Sequence, residues 1–115
     1  MDDIPQLLVL DRSQLRNVTL NDEALMREVV SALVNDASEQ IEELRLAVQR
    51  TDFQVCRRVA HGLMGACSNV GAASMAALFC AVEISAAAGD VSVCHSSVDE
   101  LMVELEKLRH EAGSI

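Results

Sequence analysis

Aromatic side chains and proline are almost absent from this chain of 115 residues, which has two phenylalanines, no tyrosine, no tryptophan and one proline. Hydrophobic residues nevertheless make up 50% of the sequence. A core must therefore be built from aliphatic side chains, alanine and methionine, which suit close packing between helices. Because a chain of this length supports one compact domain, we expect a single domain over residues 1–115.

Positive charge is also scarce, since nine Lys and Arg residues stand against 18 Asp and Glu residues, for a net charge of −9. Nucleic acid is excluded as an expected partner because phosphate binding needs a basic stripe. The same deficit of positive charge disfavours direct contact with an anionic membrane.

The sequence contains no predicted targeting or membrane-spanning segment. Residues 1–5 lack the features of a signal peptide, and the apolar stretch 71–88 is too rich in alanine and serine for a membrane span. We expect a cytoplasmic protein.

The four cysteines, Cys56, Cys67, Cys80 and Cys94, contain no C-x-x-C pair. Three of them lie in strongly apolar helical patterns, which favours reduced, buried thiols over a disulfide framework or a zinc site. Paired Glu-x-x-His motifs of the kind that hold metals in helical bundles are also missing. The sequence therefore predicts no metal site.

Four amphipathic helical segments follow a short opening segment at about residues 7–18, and short breaks separate them. In the first long segment, apolar residues recur at three- and four-residue steps from Leu25 to Val48. No strand-like alternation competes with this pattern. We therefore predict an all-α fold, an antiparallel up-down-up-down four-helix bundle with a short extra N-terminal helix across one end.

Helix boundaries are predicted from residues that commonly cap helices. The second bundle helix should begin at Thr51-Asp52, and the last could begin as early as Ser92. The other predicted caps and stops are Thr19 and Asn21 for the first bundle helix, Gly71 for the end of the second, Ser74 and Gly89 for the third, and Ser97 with Glu100 for the last.

The second bundle helix carries His61 on the side away from its apolar face. At about 100° per residue, one face collects Cys56, Val59, Leu63, Cys67 and Val70. The residues that share the histidine's side of the helix are Gln54, Arg57, Arg58, Gly65 and Ser68. An imidazole in solvent on a rigid helix, with a glycine one turn later, leaves room for another molecule to approach closely.

A solvent-facing imidazole can act as a nucleophile. Part of such a histidine population is neutral near pH 7, and neutral imidazole can attack phosphorus to form a phosphoramidate. The chain has no glycine-rich phosphate loop and no paired aspartates recognisable as a magnesium site. Because the nucleophile has no metal or nucleotide site of its own, we expect this protein to act as the substrate of another protein's active site.

Residues 60–71, which read AHGLMGACSNVG, resemble the signature of bacterial histidine-containing phosphotransfer (Hpt) domains. That signature runs A-H-x-L-K-G, a few small residues, then N-[LI]-G. The resemblance extends over essentially the whole chain. Its other elements are Leu10-Asp11, the long first bundle helix, residues 57–60, Val82-Glu83 and Gly89-Asp90.

The resemblance implies a carrier in a multistep phosphorelay of two-component signalling. His61 would accept a phosphoryl group from a receiver-domain aspartate and pass it to a second receiver. The partners would be response-regulator receiver domains, which supply the Mg²⁺, so the domain would have no cofactor of its own and no autonomous kinase activity. We expect a monomer, either free-standing or, the favoured case, the C-terminal part of a hybrid sensor kinase tethered to the inner membrane through its parent.

The sequence departs from the family signature at Met64, where the family commonly has lysine. Because that lysine would neutralise phosphoryl oxygens, we hypothesise that Arg57 or Arg58, with Arg58 favoured, substitutes for it. Met64 itself either adds adaptable docking surface or lies at the edge of the bundle groove. Glu83 is interpreted as an ordinary exposed glutamate, with a contact across the bundle as the alternative.

The predicted site is thus His61 as the phosphorylated nucleophile, with a contact surface formed by Gln54, Arg57, Arg58, Met64, Gly65 and Ser68. Met64 lends weight to one competing function, a non-phosphorylated module that docks receivers or regulates them. The other competing function, a metal-binding or enzymatic helical bundle, lacks the residues it would need.

Overall fold

Five helices and no strand make up residues 7–115, the part of the chain that this computed structural model describes. The helices are α1 (Arg12–Val18), α2 (Glu23–Gln49), α3 (Phe53–Val70), α4 (Ala73–Ala87) and α5 (Val91–Ala112). The all-α prediction is confirmed. The absence of a signal peptide was predicted from residues 1–5, which lie outside the described residues.

The four long helices are arranged in a closed cycle. Helix α2 packs against α3 and α5, and α4 packs against the same two helices, while the short α1 contacts α2 and α3. Connections of two or three residues join α2 to α3, α3 to α4 and α4 to α5. Short connections between helices that pack on each other are compatible with the predicted antiparallel bundle.

The core is aliphatic, as the composition predicts, and Phe79 is its largest fully buried side chain. The thiols of Cys56, Cys67 and Cys94 are buried, which confirms that prediction, and Cys80 is half-buried. Burial raises the pKa of Cys56 to about 11 and that of Cys67 to about 12.

Among the described residues, no helix combines the length and apolar content needed to cross a membrane.

Aspartates begin four of the five helices. The side chains of Asp11, Asp22, Asp52 and Asp90 accept hydrogen bonds from backbone N–H groups in the first turn of α1, α2, α3 and α5. An aspartate in this position satisfies a donor that has no partner within the helix. The predicted start of the histidine helix at Asp52 is confirmed.

The predicted caps of the first bundle helix are wrong. Thr19 is buried, and its hydroxyl donates to the Leu15 carbonyl at 2.7 Å. Leu20 and Asn21 adopt left-handed conformations, with φ of 54° and 64°, so that α2 begins only after Asp22. The opening helix is also shorter than predicted, since α1 begins at Arg12.

Ser74 and Ser97, the predicted N-terminal caps of the last two helices, are wrong as well, whereas Gly89 follows the end of α4 as predicted and α5 begins one residue before the early start predicted at Ser92. Helix α4 begins at Ala73 without a side-chain cap, and the N–H of Ser74 donates to the Leu8 carbonyl at 2.9 Å. Ser97 is buried within α5, which begins at Val91. A contact between distant parts of the chain therefore takes the place of a local cap at α4.

The end of α3 is tied to the N-terminal segment through Gly71. This residue has φ +100°, and its N–H donates to the Cys67 carbonyl at 3.0 Å, which ends the helix as predicted. The Gly71 carbonyl accepts from the N–H of Asp11 at 2.8 Å. Gln14 of α1 reinforces the junction by donating to the Ser68 carbonyl. The histidine helix is thereby held at its C-terminal end.

We predict that Gly71→Ala lowers the free energy of unfolding more than Gly89→Ala does. Both glycines have positive φ, where a side chain costs about 1–2 kcal/mol. A Cβ at Gly71 would in addition lie 2.9 Å from the Asp11 carbonyl oxygen, whereas at Gly89 no atom lies within 4 Å. Urea denaturation of both variants measures the difference, and equal losses would contradict a close approach at Asp11.

Candidate functional site

His61 lies near the middle of α3, and its side chain is 70% exposed. The buried residues of α3 are Cys56, Val59, Ala60, Leu63 and Cys67. Because these residues fix the rotation of the helix against α2 and α4, the opposite side faces solvent. The outward orientation of His61 that the helical periodicity predicts is thus observed.

The imidazole of His61 is hydrogen-bonded to Glu83 of α4, with 3.0 Å between Nδ1 and Oε2. A carboxylate can only accept, so Nδ1 carries the hydrogen and Nε2 of the neutral ring keeps its lone pair. Glu83 is only 28% exposed, and its interpretation as an ordinary exposed glutamate is wrong. The contact forms because Val82 and Ala86 are buried and their packing turns Glu83 towards α3.

An open groove of about 600 Å³ runs between α3 and α4 beside the histidine. Three of the predicted contact residues, Gln54, Arg57 and Arg58, line it on α3, one or two turns before His61. The rest of its lining consists of Phe53, Glu83, Ala86 and Ala87. The structure therefore brings two arginines, an imidazole and a carboxylate to one concave surface.

The two arginines differ in their partners. Arg58 forms an ion pair with Glu43 of α2, with 3.2 Å between Nη2 and Oε1. Within residues 7–115, Arg57 has neither an ion pair nor a hydrogen-bond partner for its side chain. An exposed ion pair is weak, yet it still competes for the Arg58 guanidinium. The geometry thus favours Arg57, and not Arg58 as hypothesised from the sequence, as the cation available beside His61.

The remaining predicted contact residues lie on α3 after the histidine and outside the groove lining. Met64 is half-buried and packs against the core, which favours a position at the edge of the bundle. A Cβ placed on Gly65 would meet no atom within 4 Å, so the space beside His61 is open. Ser68 is exposed.

The described residues form no metal-binding cluster at this site. No group of three or more His, Cys, Asp or Glu side chains within residues 7–115 is placed to hold a metal ion. What the groove offers is a nucleophilic nitrogen, a carboxylate that orients it and an exposed guanidinium.

Comparisons with known proteins match most of the chain. The profile of the Hpt domain family matches residues 28–111, a range that contains His61 and Glu83. Among solved structures, the chain is similar to the crystal structure of histidine-containing phosphotransfer protein B (HptB) from Pseudomonas aeruginosa PAO1. The TM-score is 0.85 at 25% sequence identity, and 92% of each chain is covered. A comparison with curated protein sequences gives no match.

We predict that Glu83 determines which nitrogen of the neutral His61 ring carries the hydrogen. In Glu83→Ala the ratio of the Nδ1–H form to the Nε2–H form should fall about fivefold, since one net hydrogen bond contributes about 1 kcal/mol. Glu83→Gln should retain most of that form because the amide oxygen still accepts. The ¹⁵N chemical shifts of the ring measure the populations, and an unchanged Glu83→Ala spectrum would refute the assignment.

Proposed function

The chain belongs to the Hpt domain family, and we propose that it carries a phosphoryl group on Nε2 of His61 between receiver domains. The family match and the likeness to HptB support a histidine phosphotransfer role in a phosphorelay. The observation that carries the assignment to this residue is the hydrogen bond from Nδ1 of His61 to Glu83. It leaves the other ring nitrogen as the nucleophile.

The proposed step transfers phosphorus from oxygen to nitrogen. The lone pair of Nε2 attacks the phosphorus of a receiver's aspartyl phosphate, the N–P bond forms, the P–O bond to the aspartate breaks, and the aspartate leaves as a carboxylate. No proton needs to leave Nε2, because the hydrogen is on Nδ1. Transfer to the second receiver reverses these bond changes.

Glu83 has a second role in this step. Attack through Nε2 converts the neutral ring into a phosphorylated imidazolium whose positive charge is shared by the Nδ1–H group. The Glu83 carboxylate, 3.0 Å from Nδ1, lies where it stabilises that charge as it develops. Since Glu83 also orients the ring, a single contact prepares the nucleophile and stabilises its product.

Arg57 is proposed to take the place of the lysine that the family signature has at Met64. The transferred phosphoryl group carries negative charge on its oxygens, which a guanidinium can bind through two N–H groups. Arg57 lies four residues before His61, on the same side of α3, and lines the groove with it. Met64 cannot serve, since its thioether is uncharged.

The open surface around Gly65 is proposed as the docking surface for the receiver. A Cβ at this position meets nothing within 4 Å, so a partner's backbone can approach the imidazole closely. Gln54, Met64 and Ser68 would form the periphery of that contact.

The proposal also covers the setting of the reaction. The receivers would bring the Mg²⁺ and the acidic pocket, so this chain would need no cofactor of its own and would not act as a kinase. The receivers would belong to the same hybrid sensor kinase or to separate proteins, and the chain would act as a monomer in the cytoplasm. The net charge of −9 argues against nucleic acid or an anionic membrane as a direct partner.

The alternative is a module that docks receivers without being phosphorylated. Met64 in place of the family's lysine is the observation that favours it, since it removes a positive charge from the phosphoryl-binding surface. Under this alternative the groove and the open space at Gly65 would keep their use, and His61 would be a contact residue only.

Label transfer from a phosphorylated receiver tests the proposal. Mixing the chain with ³²P-labelled receivers from the same genome should give an acid-labile, alkali-stable label on the wild type and none on His61→Gln. Circular dichroism should show that the variant remains folded, because His61 is exposed. Receiver binding without label transfer from any receiver would favour the docking alternative.

We further predict that Arg57→Gln slows phosphotransfer about tenfold, which corresponds to about 1.4 kcal/mol of lost charge stabilisation. Arg58→Gln is the matched control on the next residue of the same exposed surface. It should slow transfer less, because the Arg58 guanidinium is already engaged by Glu43. Single-turnover transfer rates measure both, and a larger effect of Arg58→Gln would reverse the assignment.

A further inference from the structure

A second groove, of about 740 Å³, runs between α4 and α5. Its walls include the apolar side chains of Val9, Ala77, Leu78 and Val103. It shares no lining residue with the groove that contains His61. The chemistry proposed for the histidine therefore leaves this surface without a use.

The groove also contains a buried carboxylate, that of Glu104. This residue is only 6% exposed, and it lies on the buried stripe of α5 between Leu101 and Leu108. Its Oε2 atom is buried and has no hydrogen-bond partner among the described residues. Buried polar groups are normally partnered, and a carboxylate without a donor is costly. Within residues 7–115, no hydrogen-bond donor thus reaches Oε2 of Glu104.

The neighbouring side chains do not supply that donor. Lys107, one turn further along α5, lines the same groove but is exposed and makes no ion pair with Glu104. Ser74 also lines the groove without a hydrogen bond to Glu104. Asp99 and Glu100 add further negative charge at the walls, so a cation is the complementary group.

We propose that this groove binds a partner protein by taking up one of its arginine side chains, with the guanidinium on the Glu104 carboxylate. Apolar walls around a carboxylate match a side chain that has an apolar stem and a cationic head. Arginine fits better than lysine because its planar guanidinium is less strongly hydrated and binds carboxylates through two N–H groups. The site would make docking specific through a single deep contact.

The chain's own N-terminal residues are a less suitable occupant by composition. Residues 1–6 contain two aspartates and no lysine or arginine, so their side chains are net negative and the Gln6 amide is the one hydrogen-bond donor among them. Binding at the α4–α5 groove does not depend on the proposed chemistry at His61. A partner held there would leave the α3 surface free, and the domain could remain bound to one protein while it exchanged others at His61.

Peptide titration of the ¹⁵N-labelled full chain tests this proposal. The probes are acetyl-Leu-Arg-Leu-amide and the same peptide with citrulline, which keeps the shape of arginine and removes its charge. The arginine peptide should shift the amide signals of Leu78, Val103 and Glu104 in a saturable manner. The citrulline peptide should bind about tenfold more weakly, as expected for the loss of a charge-assisted hydrogen bond.

Two matched variants locate the contact. Glu104→Gln should remove the preference for arginine and remain folded, because it takes a charge out of a buried position. Glu100→Gln removes an exposed charge from the same groove and should retain most of the preference. Phosphotransfer from a labelled receiver should be unchanged in both, so failure at this groove is distinguishable from failure of the proposed function.

Four results would overturn the proposal. The first is the absence of saturable shifts, and the second is equal binding of the two peptides. The third is equal loss in Glu100→Gln and Glu104→Gln, which would indicate diffuse charge attraction. The fourth is occupation by the protein itself, seen as nuclear Overhauser effects from residues 1–6 to Leu78 or Val103, or as a dimer that Glu104→Gln abolishes.

Discussion

The burial of one side of α3 is the constraint on which the site depends. A helix in a bundle can place only part of its circumference in the core, and in α3 that part is the stripe through Cys56, Val59, Leu63 and Cys67. Once this stripe packs, the helix cannot rotate, and His61 must face solvent. The packing of α4 then places Glu83 within hydrogen-bond distance of the imidazole. A polar substitution in the stripe would therefore disturb the position of the His61 imidazole without touching it.

The features that the sequence predicts well are those with a local cause. Helical periodicity within α3 is enough to predict that His61 is exposed, and Asp52 caps its own helix. Two of the failures, at Ser74 and at Glu83, involve contacts between distant residues. Ser74 loses its capping role because its N–H meets the Leu8 carbonyl, and the partner of Glu83 depends on how two helices are rotated against each other. Periodicity within one helix carries no information about that rotation.

The distribution of charge at the site suits a domain that completes the active site of another protein. The groove holds a nucleophilic nitrogen and two arginines, while no metal-binding group is found within residues 7–115. Glu43 engages Arg58, whereas the Arg57 side chain has no ion pair or hydrogen bond within residues 7–115, and this difference in partners is the basis for proposing Arg57 as the cation beside His61. The difference between the two arginines depends on Glu43 of the neighbouring helix α2 and cannot be predicted from the α3 sequence alone.

Gly62 and Gly65 have a consequence for protein engineering. Both lie in the interior of α3, exposed and with open space around them, and each glycine costs a helix about 1 kcal/mol relative to alanine. Together the two glycines lower the free energy of unfolding by about 2 kcal/mol relative to alanines, which is a large share of the stability of a small domain. A library selected only for heat resistance would therefore enrich larger residues at both positions. At Gly65 such a residue would narrow the approach to the imidazole, so selection for heat resistance would act against the phosphotransfer proposed at His61.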